Sequence, residues 1–220
     1  MNLRILIPML LGAVALVYAT PLQAQRAAEA SVPVDPVKSA ELSRRSLALL
    51  KLAEEGDPPS KSQCYAEGLE LARQAIAMDD TNADAHFAVF ANLGRLMLEH
   101  GATPNPFNLL KVSRELDRAL ELNPRHSDAL ASKGGLARQL PMLLGGSLSK
   151  AERYLQQSIE NDPSAVGARI ELARVYQDLG QEDKAVELLR AAATLAEQQG
   201  RAHKLVEARQ LLAQLQPAGH

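Results

Sequence analysis

The sequence has no tryptophan, three phenylalanines and four tyrosines, too few aromatics to wall a large ligand pocket. Its only cysteine is Cys64, so no internal disulfide can form. With no second cysteine or histidine near it in sequence, Cys64 reads as a small apolar packing residue. The five histidines, His86, His100, His126, His203 and His220, form no metal-ligand spacing with one another or with carboxylates. No Gly-x-Ser-x-Gly elbow occurs, and Ser147 and Ser149 have no base near them in sequence. Neither charge sign dominates: 24 Lys and Arg stand against 26 Asp and Glu, a formal net charge of −2. That balance leaves no footprint for nucleic acid. These absences disfavour a redox site, a metal site, a hydrolase triad and a nucleic-acid surface, so the expected chain is not an enzyme and takes no cofactor.

One long apolar run exists. Residues 5–19 follow Arg4 and run almost wholly apolar, and small and polar residues follow up to Gln25. A run of about 15 residues falls short of the roughly 20 a membrane span needs, and Pro8 and Gly12 weaken it. The pattern matches a secretory signal, residues 1–24, cleaved after Ala24, rather than a retained anchor. It implies a periplasmic or secreted protein. Residues 25–38, with Pro33 and Pro36, read as a flexible tether, and residues 39–216 as the folded part.

What the sequence does have is an internal repeat. Segments 75–85, 119–129 and 158–168 align without gaps, at offsets of 44 (119 minus 75) and 39 (158 minus 119). Each reads as a helix end, a tight turn and the next helix start. Pro124 and Pro163 stop a helix, which places Thr81, Ser127 and Ser164 as N-cap candidates. A fourth copy begins at Ala192. The clearest unit is 168–189: Leu172, Ala173, Tyr176 and Leu179 at helical spacing, Gly180 at a turn, then Ala185, Leu188, Leu189 and Ala192. Residues 199–216 form a closing helix with Leu205, Ala208, Leu212 and Leu215 on one side. Asp79 and Asp80 end a helix and read as turn and solvent residues, and His86 as a satisfied packing residue.

These motifs resemble the tetratricopeptide repeat, whose large-small pair, aromatic, turn glycine and second-helix positions fall on Leu172, Ala173, Tyr176, Gly180, Ala185, Leu189 and Ala192. Leu116 with Ala119, and Ala151 with Leu155, repeat the second-helix positions. His86, Leu130 and Arg169 stand where the family places a tryptophan. The resemblance implies an all-α, right-handed α-solenoid of about four helix pairs. It also implies a groove lined by the first helix of each pair, binding a protein or peptide. On that stripe fall Phe87, Ala131 and Ile170, then Ala91 and Gly135, and three arginines: Arg95, Arg138 and Arg174. The arginines suggest a small organic anion as an alternative ligand, unless Asp84, Asp128 and Asp178 neutralise them internally.

Two units exceed the family length of about 34 residues. The excess lies at 99–108, with Gly101, Pro104 and Pro106, and at 140–149, "LPMLLGGSLS". In the second, Pro141 ends a helix, and Ser149 with Glu152 makes a capping box. Gly145 and Gly146 permit a turn with positive φ, and Met142, Leu143 and Leu144 are expected to fold back onto the helices. A phosphate cradle is the competing reading of the glycines. It lacks a following Lys-Ser or Lys-Thr pair and a preceding strand, and Glu152 would repel the phosphate. Both inserts are expected to protrude on one side, extending the groove or making a subunit contact. The insert and the following Lys-Ala-Glu resemble the T-component associated with tripartite ATP-independent periplasmic (TRAP) transporters, which would imply assistance to a solute-binding protein. That family's usual lipid anchor has no counterpart here.

Overall fold

The computed structural model describes residues 34–99, 101 and 106–215, the side chains of 106–111 excepted. Residues 1–24 and most of the expected tether lie outside the described residues. Among the described residues the secondary structure is nine α-helices and one 3-10 turn, with no strand. The helices are α1 (Pro36–Glu55), α2 (Lys61–Met78), α3 (Ala83–Glu99), α4 (Pro106–Leu122), α5 (Ser127–Gln139), α6 (Leu148–Asn161), α7 (Val166–Asp178), α8 (Glu182–Gln198) and α9 (Ala202–Leu215). Successive helices pair, giving an α-solenoid of four pairs closed by α9. Two boundaries differ from expectation. Pro36 opens α1, so residues 36–38 of the expected tether are helical, with the Asp35 carboxylate accepting from the Lys38 N–H (3.0 Å). Pro106 opens α4, so residues 106–108 of the first insert are helix rather than protrusion.

The turns between pairs share one design. Asp79, Asn123 and Asp162 each accept from the N–H two residues on, that of Thr81 (2.9 Å), Arg125 (3.0 Å) and Ser164 (2.8 Å). This Asx turn carries the chain one residue further before the helix starts. The expected N-caps Thr81, Ser127 and Ser164 are therefore corrected. Asn82 accepts from Ala85 N–H (3.2 Å) and His126 Nδ1 from Ala129 N–H (3.3 Å), while Ala165 gives α7 no side-chain cap. Likewise Ser147, not Ser149, caps α6, accepting from Lys150 N–H (3.3 Å).

Small residues let the helices approach. Ala75, Ala119 and Ser158, equivalent in the repeat, are all fully buried, as are Ala85, Ala129 and Ala168 on the following helices. Ser158 Oγ donates to the Ser127 carbonyl (2.8 Å) and Ser127 Oγ to that of Ser158 (3.1 Å). Between α1, α2 and α3, Ser46 Oγ donates to the Gly68 carbonyl (2.6 Å) and Asn92 Nδ2 to Ser46 Oγ (3.0 Å). The closing helix packs as expected: Ala208 is buried, and Leu205, Leu212 and Leu215 pack on the core that α7 and α8 supply.

Glycines divide into two kinds. A Cβ at Gly134 would lie 2.5 Å from Leu155 Cγ, inside the core, whereas one at Gly94 meets nothing within 4 Å. Gly134→Ala is expected to destabilise by about 1–2 kcal/mol, overpacking outweighing the helix-propensity gain. Gly94→Ala is expected to stabilise by about 0.5–1 kcal/mol. Chemical denaturation midpoints moving in the same direction for both variants would contradict this packing.

Candidate interaction face

The first helices of the pairs, with α9, are joined by charged contacts on one face. Arg95 on α3 meets Glu54 on α1 (2.5 Å), and His126 ahead of α5 meets Asp84 on α3 (3.2 Å). Arg138 on α5 reaches Glu171 (3.4 Å) and Asp178 (3.2 Å) on α7. Arg174 on α7 binds Glu171 (2.6 Å) and Glu207 on α9 (2.7 Å), and Lys204 binds Glu207 (2.8 Å). Because each link joins consecutive members of one helix layer, these side chains form a continuous half-exposed stripe. Gly135 leaves room for the Glu171 carboxylate: a Cβ there would stand 3.9 Å from Glu171 Oε2.

The expected groove residues fall into two groups. Arg95, Arg138 and Arg174 lie on the stripe. Phe87 and Ile170 do not: they are 6% and 1% exposed, Phe87 against the His126 ring (centroids 4.8 Å apart) and Ile170 in the core that α7 and α8 share. Both are corrected from groove to core. Of the three expected neutralising aspartates, Asp178 pairs with Arg138, while Asp84 takes His126 instead. The partners that the sequence reading missed are Glu54, Glu171 and Glu207. Glu171 precedes Arg174 by three residues and Lys204 precedes Glu207 by three, a spacing that puts each pair on one helix face. An anion entering beside these arginines must displace a carboxylate already bound.

Burial acts against the Arg174 charge, but Glu171 and Glu207 outweigh it and hold the guanidinium protonated. Burial likewise acts to raise the Glu207 carboxyl, yet the hydrogen bonds and charges of Lys204 and Arg174 bring it below its ordinary value of 4.5. A carboxyl depressed on folding contributes stability above its unfolded value and loses it as pH falls through the folded one. Glu207→Gln is therefore expected to lose less thermal stability than wild type as pH drops from neutral through 4.5. Melting curves that run parallel across that range would contradict the assignment.

The second insert forms a pinned turn. Met142–Leu144 make one 3-10 turn; Leu144 N–H (2.9 Å) and Gly146 N–H (3.0 Å) donate to the Pro141 carbonyl, and Ser147 N–H to that of Ala137 (2.7 Å). Gly145 takes the positive φ expected (92°). Gly146 is needed for space, since a Cβ there would overlap the Leu140 carbonyl. The expected folding back does not occur: Met142 is 87% and Leu143 98% exposed, and Leu144 also faces water. The turn hydrogen-bonds its own backbone, so nothing draws these side chains inward. On the other side of the array, a cleft of about 770 Å³ opens between α4, α5 and α6.

Chemistry-bearing residues are otherwise engaged. His86 Nδ1 lies 2.7 Å from the Glu115 carboxylate and Nε2 3.0 Å from the Asp80 carbonyl. Cys64 is a half-buried free thiol. Among the described residues no group of His, Cys, Asp and Glu is arranged to hold a metal. No described helix is long and apolar enough to cross a membrane.

Comparison with known proteins adds a family. No curated protein matches. Among solved structures, a thermophilic tetratricopeptide-repeat protein of Thermus thermophilus is 18% identical over 82% of this chain and 92% of its own, at a TM-score of 0.49. MamA 41-end from Desulfovibrio magneticus RS-1 is 14% identical over 82% of this chain and 96% of its own, at 0.46. A tetratricopeptide-repeat family model matches residues 143–215. The model described as regulator of microtubule dynamics protein 1-3 matches residues 23–144, which is 122 of 220 (144 minus 23, plus one). The chain therefore belongs to the regulator of microtubule dynamics protein 1-3 family, with tetratricopeptide repeats in its C-terminal part.

Proposed function

We propose that this chain is an exported, non-enzymatic scaffold that binds a segment of another protein along the charged stripe of its first helices. One observation carries the reading: Arg95, Arg138 and Arg174 stand half-exposed on successive first helices, each held by carboxylates of a neighbouring helix. Such pairs are preorganised and solvent-accessible. A partner bearing its own carboxylates and ammonium groups can exchange with them without leaving a buried charge unpaired. The tetratricopeptide fold supports an interaction role, since it presents helices without needing a catalytic centre. Export rests on the apolar run at 5–19 with its small-residue exit. The family description attributes regulation of microtubule dynamics to its namesake members; we carry over only the mode, one protein acting on another.

The test is affinity capture with the full chain against Arg138→Glu/Arg174→Glu, circular dichroism verifying that both are folded. A protein retained by wild type and lost by the variant is the expected result. A partner retained equally by both would move the site off this face.

A further inference from the structure

We propose that the chain self-associates head to tail, the Met142–Leu144 turn of one copy seating in the α4–α5–α6 cleft of the next. The turn is a rigid knob. Its backbone is closed by four hydrogen bonds, to Pro141, Met142 and Ala137 carbonyls, so presenting Met142 and Leu143 to a partner orders little that is not already ordered. Side chains this apolar and this exposed, 87% and 98%, gain by leaving water.

The cleft is matched to such a knob. Its volume of about 770 Å³ exceeds that of a few aliphatic side chains, and Leu120, Pro124, Leu130 and Tyr154 give it apolar walls. Asp117, Glu121 and Glu160 stand at its rim. The rim cations are occupied, Lys133 by Asp117 and Arg125 by Asn161 (3.2 Å). Glu160 has no ion pair among the described residues, and neither has Lys150, exposed in the first turn of α6 beside the knob. An acidic rim thus faces a basic flank.

The two features cannot meet within one molecule. The knob precedes Leu148, and the cleft runs along α6 to Glu160 and Asn161. At 1.5 Å per residue that end lies roughly 18 Å from the helix start. A knob and a cleft on different surfaces make a heterologous contact, which yields rings or filaments rather than a two-fold dimer.

Disulfide trapping in the full chain tests this. In a Cys64→Ser background, Leu143→Cys and Gln157→Cys are prepared separately; Gln157 lines the cleft and is exposed. Mild oxidation of the mixture is expected to give a covalent dimer absent from either variant alone. A dimer from Leu143→Cys alone, at the yield of the mixture, means turn-on-turn packing and overturns the proposal. No dimer in the mixture overturns it too. Sedimentation velocity of Leu143→Asp supplies the second readout. Association weakened at least tenfold is expected, and association unchanged from wild type sinks the knob.

Discussion

Ile170→Ala is expected to destabilise the fold by about 2–5 kcal/mol and to leave partner binding by the remaining folded protein unchanged. Ile170 is 1% exposed among Ala168, Leu172, Ala173 and the alanines of α8. Truncation removes its transfer free energy and leaves a cavity that neighbouring alanines are too short to fill. The unfolding midpoint in urea reads the effect directly. An unchanged midpoint accompanied by lost partner capture would return Ile170 to the groove and reverse its assignment to the core.

Arg201→Ala is expected to destabilise by about 2–3 kcal/mol, below the roughly 3–5 of a fully buried ion pair because Arg201 keeps part of its side chain in water. Arg201 precedes α9 and Glu55 ends α1, so this contact joins the last helix to the first across 146 positions (2.8 Å). Glu55 is only 10% exposed, and its Oε2 is buried without a hydrogen bond. Removing the cation strands that carboxylate. Glu55→Leu combined with Arg201→Met should recover most of the loss, since no charge then remains buried and unpaired. Amide exchange should accelerate in the last turn of α1 and the first turn of α9 in Arg201→Ala alone. A midpoint within about 0.5 kcal/mol of wild type, the size of a neutral surface change, would show that the array ends do not depend on this pair.

The architecture was legible because its packing is carried by residue size at fixed spacing. Ala75, Ala119 and Ser158 mark equivalent close approaches, and Leu116, Leu155 and Leu189 fill the matching interior positions. Helix starts were less legible: an Asx turn and a side-chain cap use the same residue types, and only geometry shows which forms. The groove assignment failed for Phe87 and Ile170 for a further reason. Helix α7 buries Val166, Ala168, Ile170, Leu172, Ala173, Val175 and Tyr176, because a first helix packs against its own pair and its neighbours. Periodicity finds an apolar stripe on a helix with one buried face; a helix buried on several sides has no single stripe to find. The arginines were readable as a row, but their partners Glu54, Glu171 and Glu207 come from other elements or another turn, so their pairing appears only once the helices are stacked.

The central claim is that a protein segment binds along the first-helix stripe. The most direct measurement is hydrogen–deuterium exchange of the full chain with and without its captured partner. The account predicts partner-dependent protection in the second halves of α3 and α5 and in α7, near Arg95, Arg138 and Arg174, with the outer turns of α4 and α6 unaffected. Protection confined to α4 and α6, or none on the first helices, would contradict it.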